Sequence, residues 1–133
     1  MVKLRLARKG RKKAPAYDIV AIDSRARRDG AYIERIGYMD PMTSPSTVSI
    51  DTQRAIYWMN VGAQPTDVVR ALMSTEGVLL ARHMQFKGAS EEEIASAVET
   101  HKATAKARFA RRKEARKVKR NTPKPAEGGA EAA

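Results

Sequence analysis

The six residues RKGRKK, at positions 8 to 13, separate two segments that both have the pattern of β-strands. Before them, Val2, Leu4 and Leu6 alternate with polar residues, as expected of a strand with one buried face. After them, residues 17–22 are nearly all apolar, which predicts a central strand or one covered on both faces. Five of the six connecting residues are Lys or Arg, and like charges repel one another in a compact chain. Folding gives no reason for this charge, so we expect a partner outside the chain to neutralise it.

Further along the chain the pattern changes from strands to helices. Residues 31–39 and 47–50 have the pattern of two more strands, and Gly37 predicts a bulge or a close approach of two backbones. Asp51 and Thr66 are suited to cap the helices that follow them. Four strands followed by two helices predict an α+β fold, with a small, mostly antiparallel or mixed four-stranded sheet and two packed helices.

The last third of the chain has the composition of a basic helical extension. Ser90 and Glu93 have the spacing of a capping box at its start, and Lys and Arg are dense near its end. The final residues are rich in Pro, Gly, Ala and Glu, which is typical of disorder. We predict three parts: an α+β domain over 1–80, a helical, basic extension over 81–120 and a disordered tail over 121–133.

The formal net charge of +11 is unevenly distributed. Residues 1–30 carry +7, residues 31–80 carry −2 and residues 81–133 carry +6. Charge of this size favours nucleic acid or an anionic membrane as the partner. No apolar run is long enough to span a bilayer and no signal-peptide pattern follows Met1, so we expect a cytoplasmic protein without a membrane partner. The absence of cysteine excludes disulfides and thiolate metal sites.

An enzyme is the first alternative to a binding protein. The residues that a magnesium-dependent nuclease would use are Asp18, Asp23, Asp29 and Asp40. Acids in turns and at strand ends are common for structural reasons, however, and the two histidines lack the spacing of metal ligands. A free DNA- or RNA-binding regulator is the second alternative. We predict no catalytic residue, metal, cofactor or small-molecule substrate.

The basic residues predict phosphate binding, because dense Lys and Arg neutralise phosphates and release counterions. We expect the two basic loops to converge on one rim of the sheet. No DNA-binding motif is present, which favours RNA, and Tyr17 is placed either to stack on a base or to lie half-buried in the sheet. The predicted RNA-binding residues are Lys3, Arg5, Arg8, Lys9, Arg11, Lys12, Lys13, Tyr17, Arg25, Arg27, Arg28 and Arg35.

The basic end of the extension is a second candidate RNA anchor, since it contains a single acidic residue among many cations. The residues of this predicted anchor are Lys106, Arg108, Arg111, Arg112, Lys113, Arg116, Lys117, Lys119 and Arg120.

Five motifs in a fixed order relate this chain to a known family. They are V-K-L-R-L, G-R-K-K, D-S-R-x-x-R-D-G, I-G-Y-x-D-P and G-A-Q-P-T-D, all within residues 1–80. With them the chain resembles the bacterial small-subunit ribosomal protein sixteen family. Asp18 departs from the pattern, since many members have a basic or neutral residue there.

The resemblance implies a structural constituent of the small ribosomal subunit, without catalytic activity. It implies binding to the 5′ domain of small-subunit ribosomal RNA, support for RNA folding and subunit assembly, and neighbouring small-subunit ribosomal proteins as partners. The positions that match the family motifs and to which it assigns RNA contact are Lys3, Arg5, Arg8, Arg11, Lys12, Lys13, Tyr17, Arg25 and Arg28. The extension lies outside the resemblance.

Overall fold

A computed structural model describes the backbone of residues 1–121 and the side chains of residues 1–118. The predicted tail falls, apart from residue 121, outside the described residues. The elements in chain order are β1 (Val2–Arg11), β2 (Ala14–Asp23), β3 (Glu34–Asp40), β4 (Thr47–Ile50), α1 (Thr52–Asn60), β5 (Gln64–Pro65), α2 (Asp67–Thr75), α3 (Val78–Phe86) and α4 (Glu91–Asn121).

The strands form one mixed sheet in the order β4-β3-β2-β1-β5. The first four strands pair antiparallel, and the two-residue strand β5 pairs parallel with β1. The predicted α+β class and mixed sheet are confirmed. The structure adds β5 and the helix α3, and β3 begins at Glu34 rather than at residue 31 because residues 31–33 belong to the preceding connection.

The helices cover one face of the sheet and form the core with it. Leu4, Ile19 and Ala21 point to this face and pack in one buried cluster with Met59 of α1 and Met73 of α2. Of the two predicted helix caps, only Asp51 makes a capping hydrogen bond: its carboxylate accepts from the Arg54 amide at 3.1 Å. The Thr66 side chain makes no capping bond. Burial of these apolar side chains supplies the main driving force for the fold.

The other face of the sheet, which we call the outer face, is also covered around β2. Val20 and Ile22 lie there because side chains alternate along a strand, and both are fully buried. The Arg5 guanidinium, opposite Val20, donates to the carbonyl oxygens of Ala26 and Arg27 at 2.8 and 2.6 Å. These bonds hold the β2–β3 connection against the outer face. The sequence predicted that β2 is either central or covered on both faces, and in the structure it is both.

Gly37 lies where the backbone of β3 pairs with that of β4. A Cβ atom at this position would lie 2.4 Å from the carbonyl oxygen of Ser49, so no side chain fits between the two backbones. The register between β2 and β3 also shifts between Ile19 and Val20, which leaves one extra residue in β3. The sequence predicted a bulge or a close approach at Gly37, and the structure has the close approach at Gly37 and a bulge beside it.

The long helix α4 begins at the predicted capping box and packs on the core with its first half. The Glu93 amide donates to the Ser90 hydroxyl at 3.4 Å, and the Ser90 amide donates to the Glu93 carboxylate at 3.2 Å. Ile94 and Val98 pack against the core cluster. At 31 residues the helix is about 46 Å long, so its basic half extends well beyond this contact.

Glu34 joins the sheet to α1 through three hydrogen bonds. Arg54 donates to both carboxylate oxygens at 2.7 and 2.6 Å, and the Trp58 indole N–H donates at 2.7 Å. The Arg54 bonds, and after them the Trp58 bond, lower the pKa of Glu34 from 4.5 to about 2. A carboxylate whose pKa is lower in the folded state stabilises the protein above its unfolded pKa.

We therefore expect the stabilisation from Glu34 to be complete above pH 4.5 and to be lost as the pH falls towards about 2. Urea unfolding of the wild type and of Glu34→Gln across this range measures the effect. The difference in their free energies of unfolding should shrink as the pH falls. A difference that stays constant with pH would contradict the ion pair.

Candidate nucleic-acid interface

The β1–β2 hairpin presents its charged tip to solvent. Its register pairs Arg11 with Ala14, so only Lys12 and Lys13 form the loop. Gly10 has a positive φ of 85°, and a Cβ atom there would lie 2.4 Å from the Ala14 carbonyl oxygen. A glycine at this position is what permits so tight a tip. The five tip cations, all exposed, are Arg8, Lys9, Arg11, Lys12 and Lys13.

Behind the tip, a buried carboxylate holds two of the predicted RNA-binding cations. Asp18, whose side chain is 3% exposed, forms ion pairs with Lys9 and with Arg35, the latter at 3.2 Å. Lys9 and Arg35 remain about half exposed. The hydrogen bond and charge of Asp18 raise the pKa of Lys9, so this lysine stays protonated. Asp18 thereby positions two cations on the outer face, a role that was not predicted from the sequence.

Arg8 and Tyr17 lie on the side of the sheet that the helices cover. They are directly opposite each other across β1 and β2, and Tyr17 is half-buried. Met39 of β3 is paired with Tyr17. Arg8 is nevertheless exposed, because it lies at the tip, whereas the Tyr17 ring is partly buried in the sheet.

The second basic loop lies in the β2–β3 connection. Arg25, Arg27 and Arg28 are exposed, and Arg28 forms an exposed ion pair with Asp29 at 3.4 Å. The Arg5 side chain holds this loop, so its guanidinium already has partners within the chain. Lys3 is half-buried on the same outer face.

The expectation that the two basic loops converge on one rim is wrong. Successive connections of an antiparallel sheet lie at opposite ends, so the β1–β2 tip and the β2–β3 connection are separated by the ten-residue length of β2, about 33 Å. What they share is the outer face, because the β2–β3 connection folds back over it to reach Arg5.

The basic half of α4 reaches the end of the sheet that carries the hairpin tip. The Lys113 ammonium donates to the Ser44 hydroxyl at 3.3 Å, and Ser44 lies in the β3–β4 connection. That connection is at the tip end, because Met39 pairs with Tyr17 near the start of β2. The predicted anchor residues from 106 to 117 are exposed, and the side chains of Lys119 and Arg120 lie outside the described residues.

The aspartates of the nuclease alternative do not gather at one place. Within the described residues, no three His, Cys, Asp or Glu side chains are arranged to hold a metal. Asp18 is held by two cations, Asp23 accepts from the Arg25 amide at 2.9 Å, and Asp40 accepts from the Met42 amide at 2.8 Å. Among the residues that the structure describes, no helix is long and apolar enough to cross a membrane.

Fold and surface together define a small α+β protein whose cations cluster on a hairpin tip, a loop and a long helix. The model of the family described as "Ribosomal protein S16" matches residues 8–66. The chain is 44% identical over 127 residues to "Small ribosomal subunit protein bS16" of Chloroherpeton thalassium, covering 96% of this chain and 94% of that protein. It is 46% identical to the same-named protein of Chlorobium phaeobacteroides strain DSM 266, covering 99% and 100%.

The chain belongs to the ribosomal protein S16 family. The resemblance seen in the sequence is confirmed, and membership makes the chain a structural protein rather than an enzyme. The match to the family model ends at residue 66, but both relatives align with nearly the whole chain. The extension is therefore shared with these relatives.

We expect Lys9→Met to lower the free energy of unfolding, because it removes a counter-ion from the buried Asp18 carboxylate. Lys12→Met removes the same charge from the tip and should change stability by less than about 0.5 kcal/mol. Urea unfolding of both variants measures the difference.

A double-mutant cycle isolates the ion pair in that experiment. In the Asp18→Asn background, where no buried charge remains to be neutralised, Lys9→Met should cost less than it does in the wild type. Equal costs in the two backgrounds would show that Lys9 does not stabilise Asp18.

Proposed function

We propose that this chain is a structural constituent of the small ribosomal subunit in the cytoplasm. In this role it binds the 5′ domain of small-subunit ribosomal RNA and supports the folding of that RNA during subunit assembly. Membership of the ribosomal protein S16 family supports the proposal, as does the name of the relatives, small ribosomal subunit protein bS16. Its partners are this RNA and neighbouring small-subunit ribosomal proteins.

The observation that carries the proposal is the charge of the hairpin tip. Of its five exposed cations, Lys9 has Asp18 as a partner, and the tip loop contains no acidic residue. The paired strands fix the positions of these side chains before RNA arrives, so less conformational entropy is lost on binding. The tip cations would displace the counterions that are condensed on RNA phosphates, and the phosphates would in turn remove the self-repulsion of the tip.

The outer face extends this interface along the sheet. Lys9 and Arg35 are held there by Asp18, and the exposed arginines of the β2–β3 connection lie at its far end. Arg5 contributes by holding that connection in place. Cations spread over about 33 Å match a nucleic acid backbone better than a small anion.

The basic half of α4 forms the second RNA anchor of this proposal. Lys113 brings it to the end of the sheet where the hairpin tip lies, so two basic regions about 100 residues apart in sequence meet at one end of the molecule. Residues 1–80 are in this view the RNA-binding domain, and within the extension over 81–120 the anchor residues from 106 onward enlarge its contact with RNA.

We expect replacement of Arg11, Lys12 and Lys13 by alanine to leave the fold intact and to weaken binding to a transcript of the 5′ domain. Removal of each side chain that binds a phosphate should reduce the slope of log affinity against log salt by about one unit. Filter binding at several salt concentrations measures the slope. The control variant replaces Arg70, Lys87 and Lys102, which removes the same charge outside the proposed interface.

The slope should change less in the control than in the hairpin variant. Equal changes would mean that net charge alone, and not the hairpin tip, determines binding.

Replacement of Arg111, Arg116 and Lys117 by glutamine tests the α4 anchor in the same assay, since glutamine preserves helix propensity. An unchanged slope in this third variant would remove α4 from the interface.

A further inference from the structure

One face of α4 borders a groove that the family resemblance does not explain. The groove lies between α4 and the C-terminal end of α2, where Ser74 and Thr75 form its far wall, and its volume is about 650 Å³. A second cavity of about 490 Å³ lies between α4 and Ser44 of the β3–β4 connection. Phe109 and Arg112 line both cavities, so these two side chains lie where the cavities adjoin.

Phe109 presents an aromatic ring to the groove. It is 47% exposed at the junction of the two cavities, although apolar residues earlier in α4 pack against the core. An exposed ring of this kind provides a flat surface on which a nucleobase can stack.

Arginine and lysine side chains line the same two cavities as the Phe109 ring. Arg108, Arg112 and Arg116 follow one another at intervals of four residues, so they form a row along one side of the helix with a spacing of about 6 Å. No acidic side chain lines either cavity within the described residues. An aromatic ring beside a row of cations is the arrangement that binds single-stranded nucleic acid.

We propose that this groove binds an unpaired stretch of RNA, with one base stacked on Phe109 and the flanking phosphates on Arg108, Arg112 and Arg116. The proposal rests on the RNA-binding function proposed above and assigns single-stranded RNA to the α4 groove. Bases inside a paired helix are stacked on one another, so the ring favours RNA that has an unpaired base.

The test uses the full chain with two RNA probes: a fluorescein-labelled oligoadenylate and a fully paired RNA duplex of two strands. Phe109→Ala should weaken binding of the oligoadenylate by about five-fold or more, and change binding of the paired RNA little. Phe86→Ala is the matched control, because Phe86 is 80% exposed at the end of α3, outside the groove. Circular dichroism and thermal unfolding check that both variants keep the fold.

A second variant reports on stacking directly. After subtraction of the wild-type emission, which comes from Trp58, an unlabelled oligoadenylate should quench the introduced indole in Phe109→Trp but not in Phe86→Trp. Equal affinities of Phe109→Ala and Phe86→Ala for the oligoadenylate, or an unquenched indole in Phe109→Trp, would overturn the proposal. Emission that responds to ribosomal proteins of the small subunit but not to RNA would assign the groove to a protein partner and would also overturn it.

These outcomes are separate from failure of the proposed function. In one outcome, the wild-type chain binds the 5′-domain transcript, and the Phe109 variants bind the oligoadenylate with the same affinity as the wild type. This outcome disproves the groove site alone. A wild-type chain that binds neither the transcript nor the oligoadenylate disproves both.

Discussion

The antiparallel pairing of β1 with β2 is the constraint on which the rest of the structure depends. One side of the pair carries Leu4, Ile19 and Ala21 into the core, and the other carries Arg5 and Asp18 to the outer face. The same pairing ends in a two-residue loop and so concentrates the tip cations at one point. A shift of one residue in this register would exchange the two faces, burying cations and exposing the core. Core packing and the charged surface are therefore fixed by the same set of hydrogen bonds.

The protein keeps most of its charge available rather than neutralising it internally. With a net charge of +11, the compact chain tolerates considerable self-repulsion. Asp18 neutralises part of it, but its two partners remain half exposed and are held in place rather than buried. Glu34 has a different role, since its carboxylate accepts hydrogen bonds from Arg54 and Trp58 and so joins the sheet to α1. Charge pairs that support the fold thus lie apart from the cations of the hairpin loop.

Local signals predicted the fold correctly, whereas long-range contacts could not be predicted. Most of the confirmed features depend on residues that are near one another in sequence: the alternation in β1, the Asp51 cap and the Ser90–Glu93 capping box. The close approach at Gly37 was predicted because glycine in a strand indicates that a side chain would not fit there. The strand β5 is too short to show a period, and its pairing with β1 spans about 60 residues of chain. The loop-binding role of Arg5 and the α4 groove likewise require knowledge of which distant segments meet. A lone acid in an apolar strand, as at Asp18, is the one signal that could have indicated the buried ion pairs.

Sedimentation of a cell extract on a sucrose gradient tests the central claim most directly. The chain is probed in every fraction, first in moderate and then in high salt. If it is a built-in structural component, it should migrate with the small ribosomal subunit and remain there in high salt, because the RNA would enclose several of its basic regions at once. A chain found only in the soluble fractions at the top of the gradient would contradict the ribosomal role.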